Sequence, residues 1–359
     1  MPIPHLRDQT PGSLAALWPD LALDAGVWRR VVSRLTWLDR DDLDDVRGLS
    51  KATAREILRR GRTTRLTVVD RRCSYVDPFV KYLFRSEDGR RFESVRIPLE
   101  RPRWSVCVSS QAGCALGCAF CETGRVGLER NLAPWEIVEQ VLTVRRESPE
   151  RPVTGVVFQG QGEPLQNYES VIRACEILRD PCGGRIRGDR ITISTVGILP
   201  MMERFTKEGH PFRLILSLTS AFAEKRSWLV PASRAYDVAE LAAAMRRHAL
   251  AHGGPAHLAW VLMAGVNTQP EEARELRRLF PDVPVRLSVI DVNDPTGRFR
   301  RADDVERGRF LSALAESGIS FVRRYSGGPD IHAACGMLAS SARGGQPVGD
   351  RPLRSQPPA

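Results

Sequence analysis

The chain has 359 residues and a mass of 40.0 kDa; 42% are hydrophobic, enough to bury a core as one large domain or two smaller ones. Its 53 basic and 43 acidic residues leave a net charge of +10 and a pI near 9.6, which favours an acidic partner such as nucleic acid. The 29 Gly and 25 Pro follow no period and no run of about 18 apolar residues occurs, so collagen-like, fully disordered and membrane-spanning classes are excluded.

The opening MPIPHLRDQT lacks the basic-then-apolar layout of a secretory signal, so a soluble, cytoplasmic monomer is expected. Residues 1–61 read as a small helical region: LAALWPDLALDAGVWRRVVSRL carries apolar residues at three- and four-residue steps, and ATAREILRRG continues them after a turn. Residues 62–103 change to β-type runs, RLTVVD, FVKYLFR and FESVRIP, with a hairpin turn at Asp88-Gly89. Six Arg against eight acids in residues 1–50 give way to thirteen basic against seven acidic in residues 51–100. Arg55, Arg59, Arg60, Arg62 and Arg65 form a compact group there, which is either a solvated face or a surface that grips RNA phosphates.

From residue 104 to 339, β-branched runs alternate with helices. The strands are expected at Trp104–Ser109, Val153–Gln159, Arg190–Ser194, Phe212–Leu218, His257–Met263, Val285–Val289 and Phe321–Arg323. The helices between them include Pro134–Arg146, Tyr168–Leu178, Val238–Ala251, Pro270–Leu279 and Asp303–Ser317. Repeated strand–helix alternation implies an α/β fold with a parallel sheet, open or closed into a barrel. Residues 340–359 lack periodicity and are expected to be a disordered tail.

Eight cysteines are too few for a disulfide scaffold, and four of them lie between Cys107 and Cys121. Cys114, Cys118 and Cys121 form a C-x₃-C-x₂-C spacing after a strand. Three thiolates on one tight loop reach three corners of a [4Fe–4S] cube and leave the fourth iron open for ligand chemistry. A structural zinc site is the alternative, but it wants a fourth Cys or His, and none follows within thirty residues.

This spacing resembles the radical S-adenosylmethionine (SAM) superfamily. CVSSQAGCALGCAFCETG, NLAPWEIVEQV, GQGEPLQN, ISTVG, LSLTSA and GPDIHAACGML, in that order, resemble the RlmN/Cfr family of radical-SAM RNA adenosine methyltransferases. The resemblance implies a partial (β/α) barrel, preceded here by the helical region and the β-hairpin extension. It also implies a [4Fe–4S] cluster and two SAM molecules, which together methylate carbon 2 or carbon 8 of an adenine in ribosomal or transfer RNA. In such enzymes the cysteine matching Cys335 accepts a methyl from one SAM, and a 5′-deoxyadenosyl radical from the second abstracts a hydrogen from it. The resulting carbon adds to the ring. The cysteine matching Cys107 resolves the adduct and leaves a Cys107–Cys335 disulfide, for which a thiol reductant is needed. Flavodoxin or ferredoxin is the expected electron donor.

Glu93, in E-x-V-x-I-P, matches the family's proton acceptor; read from its residue type alone it is an exposed hairpin glutamate just as readily. Gly162 and Glu163 follow a strand, where glycine lets backbone approach a ligand and a carboxylate can hold the methionine ammonium. Ser194, Ser217 and Asn293 match positions near the ribose and methionine carboxylate of SAM. The family's Ser-Leu-His is Ser217-Leu218-Thr219 here, and one extra residue separates the Glu93 motif from Cys107. Cys73, Cys175 and Cys182 carry no role, Cys175 reading as core; Asp330 is a candidate for shaping the Cys335 loop. Two other classes remain open: a radical-SAM enzyme acting on a peptide or small molecule, which needs no methyl-carrying Cys335, and a non-catalytic iron–sulfur RNA-binding protein.

Overall fold

Three capped helices begin the computed structural model, which describes residues 3–338; the expected tail at 340–359 lies outside the described residues. α1 (Pro11–Leu17) starts on a Thr10–Ser13 capping box with Pro11 in its first turn. α2 (Ala25–Val32) is capped by Asp24 and α3 (Lys51–Arg60) by Ser50, whose side chains accept the N–H of Val27 and Thr53. Their apolar faces close a core of their own around Leu6, Trp18, Trp28, Val31 and Ile57. His5 stacks on Trp135 at 4.4 Å and Arg173 donates to the carbonyl of Asp8 (2.7 Å), joining this region to the rest.

The remaining strands form one ten-stranded sheet and a small two-stranded one. β1 (Thr67–Cys73), β2 (Val80–Arg85), β3 (Arg91–Pro98) and β4 (Trp104–Val108) are antiparallel neighbours. The Asp88-Gly89 turn forms as expected, with Gly89 at a φ of 82°. β4 is followed by β5 (Gln111–Cys114), α4 (Glu122–Val126) and β6 (Gly127–Asn131), with β5 and β6 paired antiparallel. Neither β5 nor β6 was expected, because QAGC and GLERN show no alternation.

Helix and strand then alternate: α5 (Pro134–Glu147), β7 (Val153–Phe158), α6 (Tyr168–Arg179), β8 (Ile191–Thr195), α7 (Leu199–Glu208), β9 (Arg213–Ser217), α8 (Ala223–Leu229) and α9 (Val238–His252). β10 (Ala256–Leu262), α10 (Pro270–Leu279), β11 (Val285–Asp291), α11 (Asp304–Glu316) and β12 (Ser320–Arg324) complete the series. β4 and β7 to β12 run parallel in sequence order, so the antiparallel hairpin strands are continuous with the parallel sheet through β3 and β4.

Val106, Ile193, Leu216, Trp260 and Leu287 point from the strands to the helices and form the main core. The alternate residues, among them Cys107, Thr192, Ser194, Ser217 and Ser288, face the concave side, as the two-residue period of a strand requires. Ile97 of β3 and Arg324 of β12 line one cavity, so the open sheet curls into a partial barrel. No helix among the described residues is long and apolar enough to cross a membrane.

Candidate active site

At the C-terminal ends of the parallel strands, β5 delivers Cys114 and a tight loop delivers Cys118 and Cys121 before α4. Gly117 turns the loop at a φ of 64°, and a Cβ on Gly124 would lie 2.9 Å from the Cys118 nitrogen, so glycine is required where α4 folds back. Burial pushes the Cys114 thiol up to about 12 and raises Cys118 and Cys121 as well, each with a neighbouring cysteine or acid adding to it. Among the described residues, no three His, Cys, Asp or Glu side chains close on one point as a mononuclear site would require. Three sulfur donors on one loop, Cys114 buried and Cys118 and Cys121 half-buried, with no nitrogen or oxygen donor among them, suit an iron–sulfur cluster. Arg226, fully buried, acts electrostatically on Cys118 and donates to the carbonyls of Leu218 (3.0 Å) and Ser217 (3.3 Å).

Glu163 stands beside that loop. Its carboxylate accepts the N–H of Leu165 and Val196 (both 3.0 Å), and burial raises its pKa above the usual carboxylate range. Each oxygen accepts one of these backbone N–H groups and keeps lone-pair capacity for an ammonium. Gly162, at a φ of 101°, packs so close to Gln111 that a Cβ would lie 2.6 Å from the Gln111 Cβ. The side chain of Gln111 in turn accepts the N–H of Glu163 at 2.8 Å. Ser194 and Ser217 face one another across β8 and β9 with their hydroxyls 3.1 Å apart. Leu218 is buried, and Thr219 adopts a left-handed φ of 64°, an outlier for a β-branched residue. The Thr219 hydroxyl is buried with no protein partner. The spare Glu163 oxygens act electrostatically on Cys114 and Cys118, and together with the three thiols they form a polar cradle that fits a cluster with SAM bound to it.

The segment carrying Cys335 folds over the cluster loop. The Gly336 carbonyl accepts the N–H of Glu122 (2.7 Å), and a Cβ at Gly336 would come within 3.2 Å of the Phe120 carbonyl. The Thr123 hydroxyl donates to the carbonyl of Leu338 at 2.6 Å. Asn293 donates to the Ser326 hydroxyl (3.2 Å), and the Cys335 N–H donates to the same hydroxyl (2.8 Å). Asp330 receives the Ser74 hydroxyl (2.7 Å) and the Tyr75 N–H (3.1 Å), so it fastens this segment to the β1–β2 loop.

Cys107, on β4, lies between Val95 of β3 and Val157 of β7. Burial, with Cys335 nearby as the second cause, pushes its thiol up to about 12. All eight cysteines are free thiols. Cys175 is buried in the core, as expected, and Cys182 packs against the N-terminal helices.

Glu93 is fully buried, which overturns its reading as an exposed hairpin side chain. The β3 strand turns it to the same face as Val95 and therefore as Cys107. Lys81 of β2, itself 2% exposed, places its Nζ 3.1 Å from Glu93 Oε1 and donates to the His332 carbonyl at 3.3 Å. Sequence reasoning missed Lys81. The available signal was a lysine in an otherwise apolar strand run, FVKYLF. A lysine is seldom buried unless it is paired.

The arginine group of residues 55–65 has spent most of its charge. Arg59 and Arg60 pair with Glu56, Arg60 also with Asp20, Arg62 with Glu87, and Arg65 with Asp39 and Asp41.

An open parallel barrel with three thiols on the loop after its first strand is the architecture of radical-SAM enzymes, and residues 108–280 match the family model described as the Radical SAM superfamily. A crystal structure of a radical SAM methyltransferase from Sphaerobacter thermophilus superposes with a TM-score of 0.87 at 35% identity, covering 94% of this chain and 100% of that one. A "Probable RNA methyltransferase" of Anaeromyxobacter sp. (strain Fw109-5) is 54% identical over 269 residues, 74% of this chain and 80% of the relative. The "Dual-specificity RNA methyltransferase RlmN" of the same strain is 39% identical over 317 residues, 86% of this chain and 82% of the relative. The chain belongs to the RlmN/Cfr family of radical-SAM RNA methyltransferases.

Proposed function

We propose that this chain methylates a ring carbon, 2 or 8, of an adenine in ribosomal or transfer RNA, with Cys335 carrying the methyl group. Cys114, Cys118 and Cys121 would hold a [4Fe–4S] cluster. Glu163 would take the methionine ammonium of SAM, the Gly162 backbone would pass close to it, and Ser194, Ser217, Leu218, Thr219 and Asn293 would line the rest. When bound, the cluster and SAM supply the radical chemistry that an unreactive ring carbon requires.

The residues of the chain do the remainder. Cys335, held over the cluster loop by Ser326 and Asn293, accepts a methyl on its sulfur and presents it towards the same space. Glu93 accepts the proton of the ring carbon, and Lys81 holds that carboxylate in place. Cys107 then attacks the Cys335 sulfur, so that an S–S bond forms as the carbon–sulfur bond to the product breaks. A thiol reductant restores both cysteines, and a flavodoxin- or ferredoxin-type protein supplies electrons.

The observation that carries this reading is the convergence of Cys335, Cys107 and the Glu93–Lys81 pair beside the three-thiol loop. An enzyme acting on a free small molecule has no use for the second pair of cysteines. Peptide mass spectrometry of protein purified from cells tests the methyl carrier. One added methyl on Cys335, absent from Cys107, is expected. A Cys335→Ala protein that still methylates RNA would refute the proposal.

A further inference from the structure

Positive charge that is not matched as it is around α3 lies at the end of the barrel opposite the cysteine loop. The parallel strands begin there, and five of them set a basic side chain at or within one residue of their first position. Arg103 precedes β4, Arg190 precedes β8, Arg213 opens β9, and His257 and Arg286 are second in β10 and β11. These five side chains, with Arg324 of β12, line one cavity of about 510 Å³. Among the described residues, Arg103, Arg190, Arg213 and Arg286 make no ion pair and no side-chain hydrogen bond, and Arg324 bonds only to Gln159 (3.4 Å). The single acid of the lining, Asp189, is already paired with Arg187 at 3.0 Å. His257, directly opposite Arg286 in the ladder, is held down to about 4, first by burial and then by Arg213 and Arg286.

Four guanidinium groups that line one cavity without an ion pair repel one another, and the one acid of the lining, Asp189, offsets Arg190 and Arg213 only in part, whereas the arginines on and just after α3 are matched by acids. The arrangement is therefore built for an anion. The planar fork of arginine matches phosphate oxygens two at a time. Ile97, Val157 and Val322 supply an apolar wall, and arginine also stacks on flat rings. The volume lies within the range of small-ligand pockets, about 300–1,000 Å³, and admits no RNA helix. We propose that this cavity binds a phosphate-bearing anion of nucleotide size. The cavity opens away from the SAM cradle: Arg213 and Ser217 share one face of β9 four residues apart, about 13 Å along the strand, while Thr192, Ile215 and Arg324 carry the lining up towards the site.

Isothermal titration of the full-length chain with ATP, at fixed ionic strength to hold screening constant, tests the proposal without any methylation assay, so its failure leaves the catalytic reading untouched. One saturable site is expected. Arg213→Ala should weaken it about tenfold, and adding Arg286→Ala should weaken it about tenfold again. Both variants should keep the wild-type melting temperature or exceed it, because they relieve repulsion. Arg213→Lys/Arg286→Lys keeps the charge but loses the fork, so its affinity should fall between the wild type and the double alanine variant. Tripolyphosphate should retain most of the affinity, and citrate should bind far more weakly. Absence of saturable binding, an unchanged affinity in the double alanine variant, or citrate binding as tightly as ATP would overturn the proposal. A loss of ATP binding on Arg59→Ala/Arg62→Ala equal to that of the cavity variants would overturn it too, since the binding would then be non-specific.

Discussion

Lys81→Met removes the ammonium that sits 3.1 Å from Glu93 Oε1 and keeps the aliphatic stem in its buried strand. Glu93 is then a fully buried carboxylate without a cation. Breaking a buried pair by removing one partner costs about 3–5 kcal/mol, and the lost bond to the His332 carbonyl lies within that figure. Neutralising both partners is close to neutral in stability. The double variant Lys81→Met/Glu93→Gln should therefore be more stable than Lys81→Met alone by about 2 kcal/mol or more. Urea unfolding followed by far-UV circular dichroism gives these differences as midpoint shifts at constant slope. Methyl transfer by Lys81→Met should fall about 100-fold or more, the usual share of a general base, because Glu93 loses its fixed position and the Cys335 segment loses a tether. A Lys81→Met protein within about 1 kcal/mol of wild type, with full activity, would refute the coupling. So would a double variant as unstable as the sum of the two single changes.

Gly162→Ala forces a methyl group to within 2.6 Å of Gln111 at a left-handed φ of 101° and displaces the side chain that accepts the Glu163 N–H, so the melting temperature and the SAM affinity measured by equilibrium dialysis should both drop; unchanged SAM binding would count against the cradle. Burial raises the Asp8 carboxyl to about 7 in the folded chain, against 3.8 for the free group. Its charge thus costs stability above about pH 7, and the cost vanishes as pH falls from there towards 4. Asp8→Asn should stabilise the protein at pH 8 by at most about 4 kcal/mol and have little effect at pH 4; an equal effect at both would contradict this.

The cysteine loop was legible because its three cysteines are neighbours in sequence, and spacing along eight residues is nearly geometry. The parallel strands were legible because their helix-facing residues, such as Val106, Ile193 and Leu287, are β-branched or aliphatic runs of the right length. What escaped depends on pairing across long separations. Lys81 meets Glu93 only because β2 and β3 align in that register, so the burial of both was hidden. The arginines of residues 55–65 met acids from residues 20, 39, 41 and 87, which no local pattern announces. The cavity arginines are spread from residue 103 to 324, and only the curl of the sheet assembles them. β5 and β6 carry too little alternation to be read, and the left-handed backbone of Thr219 has no signal in a residue type that avoids it.

Methyl transfer through Cys335 is tested by mass spectrometry of nucleosides from RNA incubated anaerobically with the reconstituted enzyme, a strong reductant and SAM bearing a deuterated methyl group. The expected product is an adenosine methylated on a ring carbon, with one deuterium fewer in its methyl than SAM supplied, because one hydrogen is abstracted on Cys335. A methyl transferred intact, or found on an adenine nitrogen, would contradict it.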